Sequence, residues 1–336
     1  MPVFENFPYT NFHELNLDYI LKEIKDLKEE TERPAVKGAK IKNHTRYYID
    51  GVNGKDDNPG TAGAPFKTID RFLDLSDEYS ELRCYIVEPG TYKIRKGDNF
   101  SDINIHITAT AANVVLDFCP TSTETEVSGY NCHWNLQGKS SAEKMVITGH
   151  DISGNLLQTL YFDMSLINFT RCDLQIYFRS FGGAVFIADS TINRINLNSA
   201  YFTISDNTHI SNTDPDIVPL YFVNCLGRLV GNFTGEELDA AGTVAFMYAS
   251  MSYIICGSVI VPNNVNQYLY GVQLVNGGIF TVTAARLASM ASRASSGNYA
   301  DAYNPIITDE GIIAAENTRY HSGDLQYWDG SAWTNV

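Results

Sequence analysis

From about residue 103 onward charge thins out, and short runs of β-branched and aromatic residues follow one another. Aligned, these runs share one frame: a Phe, two variable residues, then a small or weakly polar residue. Phe169 to Cys172, Phe186 to Asp189, Phe202 to Ser205, Phe222 to Cys225 and Phe246 to Ala249 fit it. Leu116 to Cys119, Met145 to Thr148 and Leu274 to Gly277 fit it with an aliphatic lead. Successive leads are 29, 24, 17, 16, 20, 24 and 28 residues apart, the differences between those positions. A propeller or helical repeat would hold its length, whereas a coil of parallel strands tolerates insertions at its corners. The pattern predicts an all-β coil in which Phe169, Phe186, Phe202, Phe222 and Phe246 stack as an internal ladder, about 4.8 Å apart. The small residue would then sit at a crowded corner, which gives Cys172 and Cys225 a structural role. A jelly roll or sandwich is the competing architecture, but its antiparallel hairpin signals, such as Asn-Gly, are few.

Upstream the periodicity changes. Residues 11–33 read as a helix, with Asn11 and Glu14 placed as a capping box and Pro34 ending the segment. Leu17, Ile20, Ile24 and Leu27 step by 3, 4 and 3, the seam of a short coiled coil. The same spacing suits an amphipathic helix lying on its own domain; two heptads need a docking surface or neighbouring copies. Residues 45–95 read as an αβ unit: "TRYYID" as a strand, "TIDRFLDLSDEYS" as a helix, and "RCYIVEPGTYKI" as two strands about a Pro-Gly turn. After Thr283, "AARLASMASRASS" predicts a helix capping the last coil, and "RYHSGDLQYWDGSAWTNV" a small hairpin with Trp328 and Trp333 flanking Asp329-Gly330. The resulting divisions are 1–34, a helix for attachment or oligomerisation; 35–100, a cap; 101–283, the coil; and 284–336, a helix and hairpin.

The Gly- and Asx-rich stretch beginning at Tyr47 invites a catalytic reading, which spacing rejects. A calcium loop starting at Asp50 would need ligands where Val52, Gly54 and Thr61 stand. A phosphate loop ending at Gly54-Lys55 would need Gly at Ile49 and Ser or Thr at Asp56. The six cysteines, at 84, 119, 132, 172, 225 and 256, form no CxxC, and no His stands at a metal-ligand spacing, so no metal or cofactor is expected. With 39 acidic against 24 basic residues the net charge is −15, which disfavours nucleic acid and anionic membranes as partners. No apolar run approaches the roughly 20 residues of a membrane span, and no basic-then-apolar signal opens the chain. The expectation is a soluble protein made in a cytoplasm, with reduced thiols.

Three stretches carry a resemblance. "YYIDGVNGKDDNPGTAGAPFKTI" followed by "YIVEPGTYKI" resembles the opening segment of right-handed parallel β-helix proteins grouped with pectate lyases. That resemblance implies tight turns at the Gly and Asx residues and a helix from "PFKTI" covering the open end of the stack. "FENFPYTNFHELNLDYILKEIKDL" is similar to the N-terminal segment of bacteriophage tail-spike and appendage proteins, and "GDLQYWDGSAWTNV" to short carboxy-terminal elements of phage fibre proteins. Together they cover roughly the first hundred residues and the last fifteen. They imply a virion protein assembled in the host cytoplasm, a homotrimer docked to other virion proteins through its N-terminus and presenting a rigid β-helix to a host glycan or receptor. Fold does not decide activity, since such coils include lyases, hydrolases, epimerases and non-catalytic rods. A polysaccharide depolymerase and a non-binding head or neck decoration therefore remain alternatives.

If the chain is an enzyme, hydrolysis is the better expectation. Asp173 and Asp206 each lie four residues after their Phe, with Asp189 on the coil between and His209 nearby. Glycosidases need two carboxylates about 5–9.5 Å apart, the distance between neighbouring or next-neighbouring coils. Asp at a corner equally serves to cap turns. A lyase would gather basic residues, but Arg171, Arg179, Arg194 and Arg228 share no frame. Tyr201, Tyr221, Tyr248, Trp328 and Trp333 are candidate glycan-stacking groups.

Overall fold

The computed structural model describes residues 41–77, 79–95, 99–119, 126–150, 159–205, 207–214, 216–231, 233–236 and 245–256. Beyond these it describes short strands at 270–275, 279–281, 300–302, 307–308, 311–312, 318–321, 324–328 and 333–335. The heptad segment with Leu17, Ile20, Ile24 and Leu27, the helix expected after Thr283, and Asp206 all lie outside the described residues.

The described chain is a parallel β-helix. One sheet stacks strands such as His133–Gln137, Leu166–Thr170, Ala184–Ala188, Tyr201–Ser205 and Leu226–Val230 in parallel register. The other is folded along its length. The first part of Cys172–Phe181 pairs with Met145–Gly149, while its second part pairs with Thr159–Asp163. The coil therefore has three faces. Face 1 is the first sheet; face 2 runs through Val114–Phe118, Met145–Gly149, Cys172–Leu174 and Thr208–Ile210; face 3 runs through Thr159–Asp163, Tyr177–Phe181, Leu220–Val223 and Ala245–Ser250.

The corner from face 3 to face 1 is two residues long in each of the seven coils from Asp102-Ile103 to Met251-Ser252. Its first residue is left-handed: Asp102, Asn131, Met164, Gly182, Ser199, Asn224 and Met251 have φ of 51, 50, 47, 67, 53, 52 and 48°. Asn and Asp tolerate this region through local side-chain bonds, and they also link rungs, as when Asn131 Nδ2 donates to Asp102 Oδ1 at 2.7 Å. The second residue turns inward and is buried at Cys132, Ser165, Ala200, Cys225 and Ser252. Its hydroxyl, where there is one, joins two turns of the coil. Cys225 N donates to Ser252 Oγ at 3.0 Å, and that hydroxyl donates to the Ser250 carbonyl at 2.8 Å. Ser165 does the same for Cys132 N. At the corner from face 1 to face 2, Ser190 does it for Cys172 N. Cys225 is thus a corner residue, as the frame suggested, while Cys172 opens the face-2 strand directly after the left-handed Arg171, and burial pushes its thiol up to about 12.

The interior is not a pile of Phe rings. One inward column of face 1 reads Ile105, Trp134, Ile167, Val185, Phe202, Gly227 and Ile254; its neighbour reads Ile107, Leu136, Phe169, Ile187, Ile204 and Leu229. Phe169 and Phe202 therefore occupy different columns. Phe222 belongs to face 3, between Leu197 and Ala249, and Phe246 lies on the same face. Phe186 corrects the expected ladder outright: it pairs in register with Asn168 and Thr203, points outward, and packs on Tyr201 with centroids 5.9 Å apart. The cause is parity. Val185, Phe186 and Ile187 are all apolar, so composition does not say which way each points, and a one-residue slip exchanges inside and outside. Bulk is instead matched between rungs. Phe202 lies over Gly227, and Phe162 over Gly129, where a Cβ would come within 2.0 and 2.4 Å of the rings.

The segment 41–77 closes the end of the coil. Asp50 accepts from Val52 N at 2.9 Å and Asn53 N at 2.7 Å, and the Asn53 backbone bond leads in holding its carboxyl below the ordinary range. Asp56 accepts from Thr68 N at 2.8 Å and Thr68 Oγ1 at 3.0 Å. Gly54 is required because a Cβ would sit 2.2 Å from the Phe66 carbonyl oxygen. The Gly- and Asx-rich stretch is a covering element that ties off its own backbone. Its helix is shorter than expected: Ile69–Asp74, then a 3₁₀ turn to Asp77, with Tyr79 already in strand.

Candidate functional site

Of the acidic cluster expected for hydrolysis, Asp173, Asp189 and His209 are described and each has a local partner, while Asp206 lies outside the described residues. Asp173 stands in an outward column of face 2 with Thr191, His209 and Thr234. Its carboxylate accepts from Gln175 Nε2 at 2.9 Å. Asp189 is a left-handed corner residue, φ 51°, bonded by Ser141 Oγ. His209 has both ring nitrogens engaged, Nδ1 with Thr234 Oγ1 at 2.8 Å and Nε2 with Glu236 Oε1 at 2.9 Å. Asp173 and His209 are two rungs apart, about 10 Å. Among the described residues no group of three His, Cys, Asp or Glu side chains could hold a metal ion.

Two histidine arrangements carry no motif in the sequence. On face 2, Asp117 is 3 % exposed although it points away from the core, and its Oδ1 lies 2.8 Å from His150 Nδ1. Its signal is a carboxylate inside the apolar strand Val114–Phe118. On face 1, His106 and His133 meet edge to face, centroids 5.3 Å apart. Burial, then the neighbouring His133, pushes His106 down to about 4; His133 is also lowered, chiefly by burial.

Face 3 carries the more coherent surface. Its outward column reads Tyr161, Arg179, Asn196, Tyr221 and Tyr248, in continuous register. Regular alternation on the strands sends these side chains to one side, and the parallel stack sets them a rung apart. Tyr221 and Tyr248 are stacked, centroids 4.6 Å apart and 7° between planes. Burial and the adjoining Tyr248 raise the Tyr221 phenol above its usual value. Arg179 lies over the Tyr161 ring at 5.5 Å, and Arg194 over Tyr177 at 4.1 Å. A cavity of about 220 Å³ opens between Tyr161, Arg179, Asn196, Asn198 and Tyr221, with Phe181, 43 % exposed, on its rim. Amides, phenols and a guanidinium beside an aromatic face suit the alternating hydroxyl and C–H surfaces of a saccharide.

Of the other candidate stacking residues, Tyr201 lies on face 1 against Phe186, away from this wall. Trp328 and Trp333 pair with each other in register across an antiparallel hairpin, the local arrangement read from Asp329-Gly330.

A parallel β-helix with an aromatic and amide wall is the class of protein these features define. Residues 52–116 match a family described as a protein of unknown function (DUF1565). No curated protein and no solved structure matches the chain.

Proposed function

We propose that this chain is a structural protein of a phage particle, a tail-spike or fibre-like appendage whose β-helix is a rigid rod that binds host-surface glycan. The observation that carries the binding role is the outward column Tyr161–Arg179–Asn196–Tyr221–Tyr248 with the cavity beside it. The particle assignment rests on the terminal segments, whose sequences resemble phage appendage proteins. In this reading residues 1–34 dock to other virion proteins or join copies of the chain into a trimer. Three copies would carry −45, three times −15, so their contacts must be largely apolar.

Two measurements test the reading. Full-length protein should bind isolated host surface polysaccharide, and Tyr221→Ala and Asn196→Ala should each weaken binding about tenfold without lowering the melting temperature. Unchanged affinity in both variants would remove face 3 from the reading. An antibody against the chain should decorate the appendages of intact particles, and a native mass of one chain at micromolar concentration would rule out the trimer.

A second reading, polysaccharide cleavage, draws on Asp117 and His150. A buried carboxylate holding Nδ1 orients an imidazole as a general base at Nε2, and His150 is about one-third exposed. Release of reducing ends from the bound polymer, abolished by His150→Gln, would favour this reading over a passive rod.

A further inference from the structure

A cavity beside the cap lies between the loop at Gly51-Val52, the start of the helix at Lys67–Ile69 and the strand Gly90–Ile94. Its volume is about 370 Å³. Three cationic side chains line it, Lys67, Lys93 and Arg95. Lys93 and Arg95 are two residues apart and so project to one side of the chain, a short distance from each other. None of the three makes an ion pair or a side-chain hydrogen bond to a described residue; only the backbone N–H groups of Lys67 and Arg95 are used, by Asp56 and Asp70.

Several other cations of the chain have side-chain partners. Arg71 pairs with Asp74, Arg83 with Glu81, and Lys139 with Glu143. Lys144 bonds Thr191, Arg171 the Lys139 carbonyl, and Arg194 lies over Tyr177. In a protein of net charge −15, carboxylates are plentiful and those of Asp56 and Asp70 stand at the backbone of Lys67 and Arg95, yet the three cationic groups around this opening form no ion pair with them. Like charges held together without a partner destabilise a fold slightly, and an anion between them reverses the sign.

We propose that this cavity is a binding site for an organic phosphate ester. Three cations exceed the charge of a single carboxylate and match a phosphate dianion, which lysines bind as point charges and arginine through its planar fork. Val52, Ile69, Pro89 and the Tyr92 ring supply apolar wall beyond the charged group, so the ligand carries a carbon body and is not the bare ion. The Tyr92 hydroxyl is committed to the cap, donating to the Glu88 carbonyl at 2.8 Å and accepting from Gly51 N at 3.2 Å, which fixes that wall. The site is separate from face 3 and stands or falls without it.

The test is titration calorimetry of the full chain with glucose 6-phosphate, glucose and glucuronate. Glucose 6-phosphate binds more tightly than glucose, and glucuronate binds more weakly than the phosphate ester. Raising the salt concentration weakens binding, because the site is solvent-facing and screened. Lys93→Gln with Arg95→Gln reduces affinity at least about tenfold, the loss of one or more charge-assisted bonds. Lys55→Gln, outside the cavity, leaves it unchanged. Equal affinity of the double variant, equal binding of glucuronate and phosphate ester, or no heat with the phosphate ester at millimolar concentration would each overturn the proposal.

Discussion

Gly227→Ala probes the internal packing with a single methyl group. The new Cβ would lie 2.0, 2.1 and 2.5 Å from three ring carbons of Phe202 in the preceding turn. The ring has nowhere to retreat, because it also stacks on Phe222, centroids 4.3 Å apart and 14° between planes, and both rings are fully buried. Overpacking that neighbours can absorb costs about 1–3 kcal/mol; here two stacked rings must move together, so the upper end of that range is expected. Phe202→Leu alone leaves a partial void and costs less than the roughly 3–5 kcal/mol of a Phe truncated to Ala. Combined, the methyl fills part of the space the ring vacated. The double variant should therefore be at least about 1 kcal/mol more stable than the sum of the two singles. Urea unfolding followed by circular dichroism gives these differences from the midpoints and a shared m-value. A Gly227→Ala protein within about 0.5 kcal/mol of the parent, the usual effect of a neutral surface change, would show that the ring does not cover Gly227. Strict additivity would separate the two residues altogether.

Two further outcomes follow from the corners and the histidine pair. Ser252→Ala and Ser190→Ala should each cost about 1–3 kcal/mol by leaving the buried N–H of Cys225 or Cys172 without its acceptor, whereas Ser199→Ala, at an exposed corner, should be close to neutral; equal effects at all three would refute the bridging role. His106 should titrate near pH 4 by NMR. Because its folded pKa lies below the unfolded value of about 6.5, the unfolded chain binds more protons between those limits, so stability falls as pH drops from 6.5 to 4 and levels off below. His106→Gln should flatten that slope, and an unaltered slope would place its origin elsewhere.

Much of the architecture could be read from the chain, but not for the reason first apparent. The drifting spacing of the Phe-led runs reports a coil with corners of variable length, and Cys225 does fall at a corner, with Cys172 the first strand residue after one. The Phe residues were poorer guides, because a rung is filled by whichever side chains its neighbours leave room for. Phe202 needs Gly227 and Phe162 needs Gly129, so size alternates between turns instead of repeating. Phe186 sits in an apolar triplet with no parity signal. The wall on face 3 was half legible: Tyr221 and Tyr248 stood out by type, while Tyr161, Arg179 and Asn196 join them only through strand register. Asp117 and His150 are 33 residues apart in sequence and meet because face 2 sets their strands side by side.

From Asp102-Ile103 to Met251-Ser252 the corner between face 3 and face 1 keeps a length of two residues, so this stretch of the coil is modular along its axis. A cut at Gly182 and a join at Ser199, two positions with the same role in successive turns, would remove one whole turn and leave every remaining strand in phase. Lengthening by the same cassette would extend the rod in steps of about 4.8 Å, a molecular ruler whose graduation is set by a two-residue bend.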